Sequence, residues 1–174
     1  KDTGIAVDPP DVNESSMEFM VSGNRIRFAL AAVKNVGGSA IQEILAEREK
    51  DGKFTSLLEF LSRIDSRKVN KKVIESLIKC GALDFTREKR AQLMAELDPT
   101  MEAAQSLQRD KEAGQSSLFD AFGGGSKPSA SPSINAPRVS EWSDKELLSY
   151  EKETLGFYLS SHPLAGHKRE LDLY

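Results

Sequence analysis

Cysteine is almost absent from this sequence of 174 residues. Cys80 stands alone, which excludes a disulfide scaffold and a cysteine-rich zinc site. Histidine is nearly as scarce: His162 and His167 are too few to build a metal cluster. No run of about 18 apolar residues occurs, so no membrane-spanning helix is expected. Neither sign of charge dominates. Lys and Arg number 24 against 27 Asp and Glu, a net of −3, which excludes a histone-like binder but leaves room for a local basic patch. The opening Lys1-Asp2-Thr3-Gly4 is no secretory leader, and a reducing cytoplasm is the expected compartment. Both ends read like the interior of a longer protein, so a piece of something longer is expected. Also missing are a glycine-rich phosphate loop followed by Lys-Ser/Thr, an acidic pair in a two-metal arrangement, and any Ser/His/Asp or Cys/His order. The chain is therefore expected to perform no chemistry itself. Asp8 and Asp11 flank prolines and read as turn formers, His162 before Pro163 as a turn residue, and Cys80 between Ile78 and Leu83 as buried packing.

The patterns that are present point to a mainly α protein with a small N-terminal β-hairpin, a flexible linker and a C-terminal helix. Residues 5–13 read as a short strand entering an extended loop. Met17–Val21 and Arg25–Leu30 read as strands, joined by Gly23-Asn24 in a type II′ turn. Ile26 and Phe28 alternate with Arg25 and Arg27, giving one apolar and one basic face. Ala40, Ile41, Ile44 and Leu45 line one face of a helix over 39–50, ended by Asp51-Gly52. Ser56 and Glu59 form a capping box for a helix to about Ile64. Val73, Ile74, Leu77 and Ile78 define a third helix, stopped by Gly81. Thr86 is read as the cap of a fourth helix to Leu97, and Asp98-Pro99 as a cap and first-turn pair that restarts a helix to about Lys111. Residues 120–140, rich in Gly, Ser and Pro, read as a flexible linker. Ser143 and Glu146 form a second capping box for a helix to Leu155, with Trp142 as a hydrophobic staple.

Three constellations bear on function. In Lys34-Asn35-Val36-Gly37-Gly38-Ser39, Asn35 and Gly37 tolerate positive φ and Val36 can plug into the core. The Gly37, Gly38 and Ser39 amides would then lie at a helix N-terminus, beside the Lys34 charge, as an anion site. This looks like a helix–hairpin–helix motif with Asn35 in place of the first glycine. The bland alternative is a glycine-rich helix start with no ligand. Second, Arg63, Arg67, Lys68, Lys71 and Lys72 crowd into ten residues with one acid, Asp65. Cations at the start of a helix oppose its dipole, which points to phosphate rather than to stability; the alternative is a solvated charged turn. Third, Gln115-Ser116-Ser117-Leu118-Phe119 puts two large apolar residues in a loose segment. They either dock as a short peptide in a partner's pocket or fold back on the chain's own helices.

Several blocks taken together resemble the bacterial DNA polymerase III alpha-subunit family, the C-family replicative polymerases. They are Pro9-Pro10-Asp11-Val12-Asn13, Ile26–Leu30, Val33–Gly37, Arg67–Lys71, Cys80–Asp84, Gly114–Phe119 and Glu151–Leu164, in the family's order. The resemblance implies a non-catalytic segment that lies after the palm and most of the fingers. It implies duplex DNA gripped through its backbone by Lys34, Asn35, Val36, Gly37, Gly38, Ser39, Arg67, Lys68, Lys71 and Lys72. Gln115, Leu118 and Phe119 match the peptide that docks in the family's sliding clamp. Other replicative polymerase subunits are implied as partners, a bacterial cytoplasm as the compartment, no cofactor on this segment, and Mg2+ for the parent polymerase, whose catalytic aspartates have no counterpart here. The implied organisation is a duplex-binding region over 1–113, a clamp peptide over 114–119, a linker over 120–140, and a helix over 141–174 leading toward a further domain. A stand-alone DNA- or clamp-binding adaptor is the alternative.

Overall fold

The computed structural model describes residues 5–112 and 136–159. Three short strands come first: β1 Ala6–Asp8, β2 Met20–Ser22 and β3 Arg25–Arg27, in the order β1-β3-β2. β2 and β3 form the expected antiparallel hairpin. Positive φ is confined to Gly23 (57°) in its turn, as a II′ turn requires at its first central position. β1 adds to β3 in parallel, with Val7 opposite Ile26. The second strand is shorter than its pattern. After Phe28 the amides of Leu30 and Ala31 donate to Ser16 O (3.0 Å) and Met17 O (3.3 Å), and the chain turns into a short 3-10 helix, Leu30–Ala32.

Among the described residues five α-helices follow: α1 Gly38–Asp51, α2 Leu57–Arg63, α3 Lys71–Lys79, α4 Arg90–Glu112 and α5 Asp144–Leu155. The apolar periods of α1 and α3 end as read, in glycines at positive φ (Gly52, 81°; Gly81, 83°). In α2 the Ser56 hydroxyl accepts the Glu59 amide at 3.1 Å. The reciprocal bond of the expected box is displaced by one residue, because Glu59 Oε2 takes the Thr55 amide at 2.9 Å. The Ser143–Glu146 box forms in both directions. Trp142 tilts against Tyr150, ring centroids 4.5 Å apart.

The fourth helix departs from its sequence pattern at two points. Thr86 does not cap the helix: it lies in a 3-10 turn, Asp84–Thr86, its hydroxyl accepts the Glu88 amide at 3.3 Å, and α4 starts at Arg90. Its first amides are taken by Glu141, with Arg90 N and Ala91 N each 3.0 Å from a carboxylate oxygen. Nor does the helix break at Asp98-Pro99; it runs through Pro99. An interior proline costs about 3 kcal/mol through its lost hydrogen bond and ring clash. Packing outweighs that cost here. Leu97, Thr100 and Ala104 are buried around the proline, and the Thr100 hydroxyl donates to Glu96 O at 2.6 Å. Farther along α4, the Gln108 amide donates to Ser62 O and Ile64 O, both at 3.1 Å, at the end of α2.

One apolar core unites the helices, from Val12 through Ile44, Phe60 and Leu77 to Leu155 on α5. Cys80 is buried within it, and burial pushes its thiol up to about 12, so it is no nucleophile at neutral pH. The last residues of the expected linker lie against α4: Gln92 accepts the Val139 amide at 2.8 Å and donates to Pro137 O at 3.3 Å.

Candidate nucleic-acid interface

The turn before α1 is built by three residues with separate tasks. Asn35 adopts φ 68°, the left-handed region that Asn tolerates better than most non-glycine residues. Val36 is 6% exposed and anchors the turn in the core. Gly37 is the N-cap of α1, with φ −78° and ψ 161°. That backbone is extended, so the expected need for positive φ holds at Asn35 and not at Gly37. The value of Gly37 and Gly38 lies in access instead. A Cβ on either would meet nothing within 4 Å, and both residues, like Ser39 and Lys34, are exposed.

Helix N-termini leave unpaired N–H groups and a partial positive charge. In this structure Ser56 caps α2, Asn70 caps α3 (Val73 N to Asn70 Oδ1, 3.1 Å), Glu141 caps α4 and Ser143 caps α5. Among the described helices α1 is the exception: no side chain caps it. The first intrahelical bond runs from Ile41 N to Gly37 O at 3.1 Å, and Gly38 and Ser39 are exposed, as is Lys34 a few residues before them. No ion pair joins Lys34 to another described residue.

The basic stretch divides into two kinds of cation. Arg63 is interior. Its side chain is 8% exposed, lies over the Phe54 ring at 4.3 Å, pairs with Glu59 at 3.1 Å, and donates to Gly52 O at 2.9 Å and to Glu47 O. It ties α2 to the end of α1. The other four line the surface at the start of α3. Arg67 pairs with Asp65 at 2.9 Å, Lys68 with Glu43 at 2.6 Å and Lys71 with Asp98 at 2.6 Å, while Lys72 forms no ion pair with a described residue. The Glu43 and Asp98 contacts hold the Lys68 and Lys71 ammonium groups above their ordinary range. Glu43 lies five residues into α1, so the Lys68 contact is about 8 Å along that helix from the hairpin amides.

Two residues that sequence reasoning missed hold the hairpin. The Asn35 amide reaches Ser76 Oγ on α3 at 3.2 Å, and the Lys34 N–H donates to Thr154 O on α5 at 2.8 Å. Ser76 carried a signal, as a polar residue within the apolar stripe of α3; a backbone acceptor such as Thr154 carries none. Gln115, Leu118 and Phe119 lie outside the described residues, as does His162. No group of three or more His, Cys, Asp or Glu side chains among the described residues is placed to hold a metal. Asp8 is engaged by Arg25 and Arg27, and Asp11 accepts the Asn13 amide at 2.7 Å, as expected of a turn residue. No described helix is long and apolar enough to cross a membrane.

An uncapped, glycine-fronted helix start behind a Val-anchored turn defines a class, and the comparison with known families agrees. Residues 4–93 match the helix–hairpin–helix motif family, and the chain belongs to that family. Its curated relatives narrow this further. The chain is 40% identical over 174 residues to DNA polymerase III subunit alpha of Borreliella burgdorferi, covering 100% of this chain and 15% of that protein. It is 45% identical over 161 residues to the Thermus aquaticus subunit (92% and 12%), and 41% identical over 165 residues to that of Mycobacterium tuberculosis (94% and 14%). The resemblance read from the motif blocks thus holds over nearly the whole chain, which spans 12–15% of the length of these relatives.

Proposed function

We propose that this chain is a duplex-gripping, clamp-tethering and non-catalytic segment of a bacterial replicative DNA polymerase. The observation that carries the reading is the uncapped N-terminus of α1, set against four capped ones, with the exposed Lys34 in the turn that leads into it. A duplex phosphate takes the place of the missing cap. Its oxygens accept from the Gly38 and Ser39 amides, Lys34 adds charge, and no base is read. Lys72 extends the contact. Arg67, Lys68 and Lys71 contribute by exchanging their carboxylate partners for phosphate. Exposed ion pairs are worth about 0–1 kcal/mol, so this exchange is nearly neutral and the hairpin dominates.

Titrating a fluorescent duplex with the 174-residue chain across a salt series tests the grip. With two to four phosphates neutralised, log affinity against log salt is expected to fall with a slope of roughly −2 to −4, whatever the base sequence. No binding at low salt would refute the grip.

The clamp tether rests on Gln115, Leu118 and Phe119, which begin three residues after α4 ends at Glu112. Two apolar side chains filling a pocket, with a Gln amide fixing register, suit a weak docking peptide, and coupling it to the duplex grip raises residence by avidity. The double variant Leu118→Ala with Phe119→Ala is expected to abolish binding to an immobilised clamp and leave the duplex titration unchanged. Retained clamp affinity would remove this half of the proposal.

A further inference from the structure

We propose that α5 is a positioning element of the DNA grip: the Thr154 carbonyl in its last turn fixes the turn that leads into α1. This rests on the duplex-binding reading and adds to it a helix outside residues 4–93, the span of the helix–hairpin–helix match. A non-glycine residue in the left-handed region persists where its surroundings over-determine it. Asn35, at φ 68°, is held from two sides. The Ser76 bond comes from α3, within the motif; the 2.8 Å bond from Lys34 N to Thr154 O comes from α5. Carbonyls in the last turn of a helix lack intrahelical partners, so Thr154 has an acceptor to offer at that point.

α5 is itself seated firmly. Leu155 enters the core. Glu151 is 2% exposed, accepts the Leu159 amide at 3.1 Å and faces Arg90 at 3.6 Å. Glu153 pairs with Lys79 at 3.0 Å. Undocking α5 removes the Thr154 acceptor and leaves the turn with Ser76 and the Val36 anchor, so the Lys34 backbone is freed to move relative to the α1 amides. If the turn is then formed about one tenth of the time, duplex Kd rises about tenfold.

The test uses the 174-residue chain with Leu155→Asp or, more gently, Glu151→Gln, which keeps the acceptor for Leu159 but drops the charge facing Arg90. Hydrogen exchange at the Lys34 amide reports docking, exchange at Ile44 and Leu77 reports the body, and the salt series reports the grip. Expected are faster exchange at Lys34 with Ile44 and Leu77 still protected, weaker duplex binding, and a salt slope shallower by about one. Should Leu155→Asp unfold the body, Glu151→Gln decides alone. A parent chain that binds duplex, together with a variant that exposes Lys34 yet binds equally well, would overturn this inference and spare the grip. Lys34 staying protected in the folded variants would also overturn it. A parent that binds no duplex overturns both.

Discussion

Gly37→Asp is expected to eliminate most duplex binding while leaving the fold at least as stable as the parent. The two effects have one cause. The Gly37 backbone is extended (φ −78°, ψ 161°) and open around its Cβ position, so an aspartate enters without strain. At an N-cap its carboxylate accepts the first-turn amides and complements the dipole, and Asp exceeds Gly there by a few tenths of a kcal/mol. That same carboxylate occupies the amides offered to phosphate and sets a negative charge among them. Losing one charge-assisted contact of about 1.5–3 kcal/mol corresponds to roughly 10–100-fold in Kd. A thermal melt and a duplex titration on one sample read both quantities. Gly37→Val is the neutral control: it crowds the site without capping it, so binding weakens and the melting temperature drops slightly. Unchanged affinity in Gly37→Asp would mean that phosphate never visits this helix end.

Gly81→Ala is expected to cost about 2–4 kcal/mol of stability. Gly81 ends α3 at φ 83°. An L-residue in that region costs about 1–2 kcal/mol. A Cβ there would fall inside the Arg90 guanidinium, with Cζ at 2.8 Å, and lie 2.8 Å from Asp84 Oδ2. The guanidinium is the flexible end of its side chain, so the overlap itself is relieved by movement. What the movement abandons sets the cost. Arg90 donates to Asp84 at 3.0 and 2.8 Å and to Lys79 O at 3.3 Å, and it faces the buried Glu151 carboxylate. Gly52→Ala is the control for the backbone: at φ 81° and ψ −168° it has nothing within 4 Å, so it bears a backbone cost alone. By calorimetry the Gly81 variant should melt roughly 10 °C below the parent at 2–4 °C per kcal/mol and above, and the Gly52 variant only a few degrees below. Equal shifts in the two would show that Arg90 does not bind the end of α3 to α5.

Elements whose signals are local were legible. The stripe Val73, Ile74, Leu77 and Ile78 is buried in α3, Val36 plugs the turn, and the Ser143–Glu146 box closes in both directions. Signals that depend on distant partners were not. Asp98-Pro99 looks like a helix start within five residues. It becomes a helix interior because Leu97, Thr100 and Ala104 pack in the core. The basic stretch showed its cations but not the Glu43 and Asp98 carboxylates that meet them, nor that Arg63 turns inward over Phe54. The candidate site was half visible: its ligand-facing groups are contiguous from Lys34 to Ser39, while its supports, Ser76 and Thr154, come from two other helices.

The Glu141 cap has a consequence for the order in which the chain matures. Arg90 and the carboxylate that receives its amide are 51 positions apart. On a ribosome adding about 5–20 residues per second, that interval lasts roughly 3–10 s. Until then the Arg90 and Ala91 amides have no Glu141 carboxylate to donate to and are left to water. Only the arrival of Glu141, and then of α5, closes the α4 start and locks the Lys34 turn. The bond that the Lys34 turn makes to Thr154 is therefore completed last, after synthesis has moved well beyond the hairpin.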